Sequence, residues 1–383
     1  MKKKIGNIKA ELLQHSQAKV SLYGEYLSVY LSILSRTKYV DNILLFDLLC
    51  GEGLYQDNLK GSPLVALDAL KRNSASNVGG SINVSVTFND NGMSEIIEGV
   101  KKVDRLESIV KKEFIPSNVT IHYHDKEFEE VLFDSINKVS STNKAKALFF
   151  IDPYGYKNIH PKHIKQVLSL KNTEVLLFLP ASHMYRFANK CTHSNFCGSD
   201  PLSEFLTDLF CGSTPQFNSV KDFVDKCRYQ FKAYLDEENI FVDSFTLERD
   251  KVNTYCLFFF TSNILGFEKM LEAKWKIDTE NGKGFTISPQ QSLFSGVQHS
   301  EYPQKLLKFI QNNESVTNKQ VYLFGLENGY LPKHSNEVLK SMTQGANKLE
   351  VISLDGEPAK GFYISYKHYN DPSARKVSFR IGS

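Results

Sequence analysis

Five short apolar runs, separated by stretches of helical periodicity, constrain the fold of this chain more than any other feature of its sequence. Their starts lie roughly 30 to 40 residues apart, a spacing typical of successive βα units whose parallel strands form one sheet with helices on both faces. The sequence therefore predicts an α/β fold with a doubly wound sheet. The five predicted strands are 43–46, 83–88, 119–123, 147–151 and 174–179.

The first of these runs is followed by a carboxylate and two glycines. Asp47 comes where the strand should end, Leu49 follows in the turn, and Gly51 and Gly53 permit a tight turn with close backbone approach. Ligands of doubly wound sheets bind outside the carboxyl ends of the strands. The pattern indicates a nucleotide-like cofactor, and an ordinary strand-to-helix turn explains it equally well.

A second motif, Asp152-Pro153-Tyr154-Gly155-Tyr156, follows the fourth run. Asp152 and a backbone carbonyl near Pro153 can accept hydrogen bonds from an exocyclic amino group, and Tyr154 or Tyr156 can stack on a planar base. The competing interpretation is a proline-containing turn with Asp152 as a cap and packed tyrosines. On this motif alone, that interpretation is preferred.

Composition limits the classes of function. The net charge of +3 over 383 residues does not by itself indicate a nucleic-acid-binding protein. No apolar run approaches the ~20 residues that a membrane-spanning helix requires, and the amino terminus lacks the apolar core of a signal peptide. The six cysteines form no CxxC pair, which suits a reducing compartment. We expect a cytoplasmic protein without membrane contact.

The predicted α/β domain covers residues 1–280. Residues 8–36 have helical periodicity and precede the first strand, while 241–249 and 254–261 alternate like paired antiparallel strands that complete the sheet. Between the fifth strand and this pair, the stretch at about 181–239 is interpreted as an insertion or a lid.

A smaller second domain is predicted at the carboxyl end. Residues 281–300 are rich in Gly, Ser and Gln and are interpreted as a linker. Residues 301–370 contain three helical patterns and two strand patterns, at 348–353 and 361–366, which together predict a winged-helix-like domain. Residues 371–383 are left as a tail.

Three basic residues are candidates for contact with nucleic acid. Arg186 follows the fifth strand and is placed to contact phosphate, and Lys333 and Lys340 lie on the third helix of the predicted winged helix. A recognition helix with so few basic residues suits a protein partner as well as nucleic acid.

A metal site is not expected. Cys191, His193 and Cys197 lie close together, with His183 nearby. Their spacing fits no standard zinc pattern and lacks a second tight pair. The sequence therefore predicts no metal.

The two strand-end motifs together resemble class I S-adenosylmethionine-dependent methyltransferases, especially their amino-methylating branch. The resemblance implies that the first motif surrounds the methionine part of the cofactor, an acidic residue after the second strand holds the ribose hydroxyls, and one after the third approaches the adenine. By this resemblance, S-adenosylmethionine would be bound by Asp47, Leu49, Gly51, Gly53, Asp90 and Asp125.

The second motif departs from that family. Family members usually have a second proline followed by an aromatic residue, where this chain has Tyr154 and Gly155. The stacking of a substrate base, and catalysis itself, are therefore open questions. The residues that would carry catalysis are Asp152, Pro153, Tyr154 and Tyr156.

Most of the chain also resembles the three-Cys-motif partner (TcmP) family of bacterial and phage-associated proteins. The matching stretches include FDLLCGEG, GSPLVAL, FFIDPYGY and TEVLLFLP. This resemblance implies a Rossmann-like, methyltransferase-type fold that works with a three-cysteine-motif partner, itself similar to radical S-adenosylmethionine proteins.

Three functions are consistent with these observations. The first is methylation of an amino group, on a nucleic-acid base, with S-adenosylmethionine. The second is a non-catalytic module that binds a partner protein in a mobile-element or anti-phage defence system, and the third is a winged-helix nucleic-acid binder. The sequence does not indicate the oligomeric state or whether the partner is required.

Overall fold

The computed structural model of the chain forms two compact units: unit 1 comprises residues 1–269 with 284–287, and unit 2 comprises residues 270–283 with 288–383. The structure describes residues 2–55, 58–76, 82–90, 100–153, 156, 158–191, 200–213, 215–235, 239–248, 252–280, 282–286, 301–344, 349–354 and 359–381.

Among the described residues, unit 1 is built on a sheet of eight strands in the order β3-β2-β1-β4-β5-β7-β6-β8. Strands β1 to β5 are mutually parallel, and β7 is antiparallel to both of its neighbours. The strand order reverses direction at β1, which lies between β2 and β4. The strands are β1 (Asn42–Asp47), β2 (Asn83–Asn89), β3 (Val119–His124), β4 (Ala145–Ile151), β5 (Thr173–Leu179), β6 (Phe241–Glu248), β7 (Thr254–Thr261) and β8 (Gly284–Thr286).

Helices connect and flank these strands, as the alternating pattern predicted. The central strands β4 and β5 are buried along most of their length, as expected for parallel strands covered on both faces. The predicted α/β, Rossmann-like fold is confirmed. The helices of this part of the chain are α1 (Lys2–Leu34), α2 (Ser62–Ser76), α3 (Lys102–Val110), α4 (Phe128–Ser141), α5 (Pro161–Leu168), α6 (Ala181–Cys191), α7 (Asp200–Leu209), α8 (Val220–Tyr234) and α9 (Ile264–Ile277).

Helix α1 lies on one face of the sheet and on α2. Tyr23 stacks on Phe150 of β4 with ring centroids 4.4 Å apart, and Tyr26 meets Phe259 of β7 at 4.9 Å. A Cβ atom on Gly24 would lie 2.6 Å from the Val65 side chain of α2. Glycine is therefore required for the observed approach of the two helices.

Helices α6 to α8 form a layer of the core. Met184, Phe205, Phe223 and Phe231 are fully buried and belong to the same apolar cluster as residues of β4 and β5. These helices are therefore part of the core, and the interpretation of residues 181–239 as an insertion or a lid stays a prediction.

The described residues of unit 2 form a three-stranded antiparallel sheet in the order β10-β11-β9 and four further helices. Its three longest helices precede β10, which is the element pattern behind the winged-helix prediction; the winged-helix assignment itself stays a prediction. The elements are α10 (Glu301–Gln311), β9 (Val316–Thr317), α11 (Asn318–Glu327), α12 (Pro332–Gln344), β10 (Leu349–Ser353), α13 (Tyr366–Asn370) and β11 (Val377–Ile381).

Two details of the predicted carboxyl-terminal organisation are wrong. Residues 361–366 do not form a strand; Tyr363 has φ +54°, a left-handed conformation incompatible with a regular strand. The partner of β10 is instead β11, which lies in the stretch predicted to be a tail. In addition, residues 284–286 of the predicted linker form β8 and pair with β6.

No helix among the described residues is long and apolar enough to cross a lipid bilayer.

Candidate functional site

The two strand-end motifs lie side by side in the structure. Strands β1 and β4 are parallel neighbours with Asp47 opposite Phe150, and the Leu48 amide donates to the Phe150 carbonyl at 3.3 Å. Asp152 follows Phe150 by two residues, so Asp47 and Asp152 lie at the carboxyl ends of adjacent strands.

Asp47 is a buried carboxylate at the end of β1. The residue is 2% exposed, and neither carboxylate oxygen has a well-formed hydrogen bond with any residue that the structure describes. Burial raises the pKa of Asp47 to about 7, which the nearby Ser62 hydroxyl and Leu49 amide offset only in part. Because a buried carboxylate that is poorly supplied with donors is unfavourable, a ligand with N–H donors would stabilise it.

The two glycines of the first motif have different surroundings. Both have positive φ, +66° at Gly51 and +83° at Gly53. A Cβ on Gly53 would lie 2.5 Å from Leu106, whereas a Cβ on Gly51 would meet nothing within 4 Å among the described residues. Gly53 is therefore needed for packing against α3, whereas the space in the direction of a Gly51 Cβ is open among the described residues.

Asp90 and its neighbour Asn89 hold the loop that follows β1. The Gly51 amide donates to Asp90 Oδ2 at 2.9 Å, so the carboxylate predicted to bind ribose contacts the glycine turn. The Asn89 side chain donates to the carbonyls of Leu48 (2.9 Å) and Lys126 (3.1 Å) and accepts from the Lys126 amide (3.0 Å). Asn89, which the sequence reasoning missed, thus joins the loops after β1 and β3.

Asp125 follows β3, and only one of its two carboxylate oxygens has a partner among the described residues. One carboxylate oxygen pairs with the Lys101 ammonium. The other, Oδ1, is buried and has no hydrogen-bond partner among the described residues. Asp125 therefore retains an acceptor at the same edge of the sheet as Asp90. Leu49 is half-buried in the loop after β1.

Lys19 of α1 pairs with Asp152, and it is the most important residue that the sequence reasoning missed. Its side chain is 8% exposed, its Nζ donates to Asp152 Oδ2, and the same atom lies 4.6 Å from the centroid of the Phe178 ring. Burial alone lowers the pKa of a lysine, but the Asp152 carboxylate and the Tyr55 hydroxyl raise the pKa of Lys19 above its ordinary value. Lys19 is therefore a buried ammonium at neutral pH.

The sequence did contain a signal for Lys19. It precedes Tyr23 and Tyr26, which are buried against the sheet, by four and seven residues, and this spacing places all three on one helix face. A charged residue on the buried face of an amphipathic helix requires a partner. What the sequence could not supply was the identity of that partner, 133 residues away.

Tyr23 and Tyr55 complete the polar cluster around the two aspartates. Burial, and secondarily the negative charge of Asp47, raises the pKa of Tyr23. Burial also raises the pKa of Tyr55, while Lys19 opposes the shift. Both phenols therefore remain protonated at neutral pH, and the charged groups of the cluster are Asp47, Asp152 and Lys19.

The remaining residues of the second motif fit their predicted roles less well. Tyr156 is 8% exposed, belongs to the apolar core and packs against His183 with ring centroids 5.8 Å apart. This burial contradicts the prediction that Tyr156 stacks on a substrate base. Pro153 is half-buried, and Tyr154 and Gly155 lie outside the described residues.

The basic residues predicted to contact nucleic acid are not brought together by any described contact. Arg186 donates to the Val252 carbonyl and to Asn253 Oδ1, both at 3.1 Å, so it fixes the turn between β6 and β7. Lys333 and Lys340 are exposed on α12 in unit 2.

The cysteine and histidine residues considered for zinc in the sequence lie outside the described side chains. They are Cys191, His193 and Cys197. Among the side chains that are described, no group of three His, Cys, Asp or Glu residues is arranged to hold a metal ion.

No protein-family model matches the sequence, and no curated protein matches it either. Solved structures similar to this chain include a DUF519 protein from Legionella pneumophila, with 14% identity and a TM-score of 0.38 over 68% of this chain and 90% of that one. They also include Trm1 from Pyrococcus horikoshii with S-adenosyl-L-methionine, with 10% identity and a TM-score of 0.36 over 70% of this chain and 62% of that one.

A third similar structure is an O-methyltransferase from Bacillus cereus in complex with SAH, with 13% identity and a TM-score of 0.33 over 67% of this chain and 90% of that one. Because these TM-scores lie below 0.5, the similar structures do not indicate the chemistry of this chain. That chemistry is inferred from the residues of the chain itself.

Proposed function

We propose that this protein binds S-adenosylmethionine at the carboxyl ends of β1, β2 and β3 and transfers the methyl group to an amino group of a nucleic-acid base. The observation that carries the proposal is the buried carboxylate of Asp47, neither oxygen of which has a hydrogen-bond partner among the described residues. Four residues further on, no described atom lies within 4 Å of the position of a Gly51 Cβ. A strand end with these features fits a ligand that brings its own donors and a positive charge.

The acceptors at these strand ends fit the donors of S-adenosylmethionine. Asp47 would accept from the ammonium of the methionine part, Asp90 from the ribose hydroxyls, and Asp125 Oδ1 from the adenine amino group. When Asp47 is ionised, the cluster of Asp47, Asp152 and Lys19 carries one excess negative charge, which favours a cationic ligand.

Asp152 is suited to the acceptor side of the reaction. When bound, the cofactor supplies an activated methyl group, so alignment and charge stabilisation are the main tasks of the protein. The hydrogen bond from Lys19 orients the Asp152 carboxylate. Because a carboxylate has about four acceptor sites, Asp152 can still accept an N–H from a substrate amino group. As that nitrogen gains the methyl group it becomes positive, Asp152 stabilises the charge, and the surplus proton passes to water.

The resemblance to the three-Cys-motif partner family supports a second element of the proposal. We expect this chain to act together with a three-cysteine-motif protein. A non-catalytic module that retains the cofactor pocket is the rival function. It is favoured by one observation, the burial of Tyr156, which removes one of the two predicted stacking residues.

Calorimetric titration of the full chain with S-adenosylmethionine tests the binding proposal. Wild type should release heat, and Asp47→Asn should reduce the affinity roughly tenfold or more because a charged hydrogen bond is lost. Asp68→Asn is the matched control, since Asp68 is an exposed carboxylate paired with Lys60 on the surface of α2. Absence of binding by wild type would overturn the proposal.

A labelled-methyl assay on pooled DNA and RNA, with and without the three-cysteine-motif protein, tests the reaction. Asp152→Asn should lower the rate by roughly 10²-fold, while Asp68→Asn should leave it unchanged. Cofactor binding without transfer under either condition would favour the non-catalytic module.

A further inference from the structure

The last described segment of unit 2, residues 359–381, concentrates basic and aromatic side chains. Asp371 is the segment's one acidic residue, whereas the whole chain of 383 residues has a net charge of only +3. Asp355 and Glu357 precede the segment and lie outside the described residues. The cationic residues are Lys360, Lys367, Arg375, Lys376 and Arg380, and the aromatic residues are Phe362, Tyr363, Tyr366, Tyr369 and Phe379.

Tyr363 is the point at which several of these side chains meet. The Arg375 guanidinium carbon lies 5.9 Å from the centroid of the Tyr363 ring, and Arg375 Nη1 donates to the Tyr363 hydroxyl at 3.4 Å. The Lys360 amide donates to the same hydroxyl at 3.3 Å, and the His368 ring centroid lies 5.2 Å from that of Tyr363. The side chains of Arg375 and His368 and the backbone of Lys360 therefore contact one half-buried tyrosine.

The backbone of Tyr363 is strained and is held by a buried amide. Its φ of +54° is unfavourable for a bulky side chain, and such strain persists only where the surrounding structure imposes it. Asn318, which is 1% exposed, donates to the carbonyls of Tyr363 (3.1 Å) and Arg375 (3.3 Å) and accepts from the Val377 amide (3.4 Å). The positions of Tyr363 and Arg375 are thus fixed by the fold.

Much of the positive charge in this segment is available to a partner. Lys360, Lys367 and Lys376 are exposed, and none forms an ion pair with a described residue. Arg380 is paired with Glu350 at 2.6 Å, and Asp371 Oδ1 accepts from the amide and hydroxyl of Ser373.

His368 adds no charge near neutral pH, because burial, together with the neighbouring Lys367, lowers its pKa.

We propose that this segment binds single-stranded nucleic acid. The side chains that would contact it are Lys360, Tyr363, Lys367, Arg375 and Lys376. Cations would contact phosphates and the tyrosine ring would stack on a base, the combination typical of single-strand binding. Helix α13 has 5 residues, too short to read a duplex groove as recognition helices do. The proposal is independent of the methyl-transfer proposal because it involves no cofactor.

Fluorescence anisotropy with labelled oligo-dT and oligo-U, over a range of salt concentrations and without cofactor, tests the proposal on the full chain. Wild type should bind, with an affinity that falls as salt rises. The double variant Lys360→Gln with Arg375→Gln should reduce the slope of log affinity against log salt by about 1.4, because each lost phosphate contact removes about 0.7. A preference between the two oligonucleotides distinguishes DNA from RNA as the source of the strand.

A second variant separates stacking from charge. Tyr363→Gly should weaken binding by about 5- to 150-fold while preserving the fold, because glycine adopts the left-handed conformation without strain. Circular dichroism melts verify folding of each variant.

The matched control is the double variant Lys111→Gln with Lys112→Gln, which removes the same charge from two exposed positions at the end of α3 and should leave the salt slope unchanged. The proposal is overturned if wild type fails to bind at low salt, if the α3 control lowers the slope equally, or if duplex DNA competes as well as the single strand. Asp47→Asn should bind the oligonucleotides like wild type, so failure of cofactor binding and failure of this proposal give different results.

Discussion

At the scale of single residues, the candidate site contains charged side chains that are largely shielded from water. Asp152 is compensated by the ammonium of Lys19, whereas Asp47 has no such partner and its pKa rises to about 7. The desolvation of buried ions is expensive unless they are paired. Lys19 therefore stabilises the folded chain through Asp152, and Asp47 is the group whose state changes near neutral pH.

The pKa of Asp47 predicts a pH-dependent affinity for S-adenosylmethionine. If the ionised carboxylate accepts from the cofactor ammonium, affinity should be constant above about pH 7 and fall up to tenfold per unit below it. Calorimetric titration between about pH 5.5 and about 8.5, a range that brackets the pKa of Asp47, measures this dependence. Asp47→Asn should bind weakly with no such trend, and an equal trend in that variant would assign the titration to another group.

A double-mutant cycle measures the contribution of the Lys19–Asp152 pair. Lys19→Met should lower the free energy of unfolding by about 3 kcal/mol, because Asp152 would be left as an uncompensated, largely buried charge. Adding Asp152→Asn should restore much of the loss. Urea denaturation gives each value.

The exposed pair Lys60–Asp68, with an N–O distance of 2.6 Å, provides the control for this cycle. Its coupling should lie within about 1 kcal/mol of zero. If the coupling energy of Lys19 and Asp152 were as small as that of Lys60 and Asp68, burial would not make the Lys19–Asp152 pair important for stability.

At the scale of elements, the loop between β1 and α2 combines a packing glycine with a glycine that leaves space. Gly53 approaches Leu106 of α3, and its carbonyl accepts from the Gly61 amide at 2.8 Å. Gly51 instead donates its amide to Asp90, and no described atom lies within 4 Å of the position that its Cβ would take. The same residue type thus serves two purposes within three positions.

Alanine substitutions should separate these purposes. Gly51→Ala should lower the free energy of unfolding by about 1 kcal/mol, the strain of a left-handed alanine, and should weaken S-adenosylmethionine binding. Gly53→Ala should be more destabilising because strain is added to a clash with Leu106. Denaturation and calorimetry on both variants provide the comparison, and an unchanged affinity in a folded Gly51→Ala protein would remove Gly51 from the cofactor site.

At the scale of the whole molecule, two buried carboxyl groups contribute stability that depends on pH. Burial raises the pKa of Glu174 to about 7, although the Tyr26 and Thr261 hydroxyls donate to it, and Asp47 has a similar value. Both values exceed those of the unfolded chain, which are about 4. Their stabilising contribution is therefore present below about pH 4 and is lost as the pH rises through 7.

Each of the two groups should lower the free energy of unfolding between pH 5 and 7 by an amount on the order of 3 kcal/mol. Buried His163, whose pKa falls to about 4, acts in the opposite direction, so the difference between wild type and Glu174→Gln is the quantity to measure. Stability of wild type relative to Glu174→Gln should fall as the pH rises through this range, as measured by urea denaturation. Glu130→Gln is the control, because the Glu130 side chain is 58% exposed, and its profile should match that of wild type. Parallel profiles for wild type and Glu174→Gln would contradict the assignment.

The sequence predicts the sheet better than it predicts the contacts across it. Apolar runs such as 43–46 and 147–151 locate strands because burial on both faces leaves a local signature, and the strand ends then follow from topology. Lys19 and Asp152 could not be paired in advance, since nothing local links residues 133 positions apart. Phe362 and Ile364 alternate as in a strand, yet the buried amide of Asn318 holds that segment in another conformation.

Asn89 holds two loops of the candidate site together before any ligand binds. Its single amide group spans the loops that follow β1 and β3, so these loops have little configurational entropy left to lose when a ligand arrives. The free energy of ligand contacts would then be retained as affinity rather than spent on ordering the backbone.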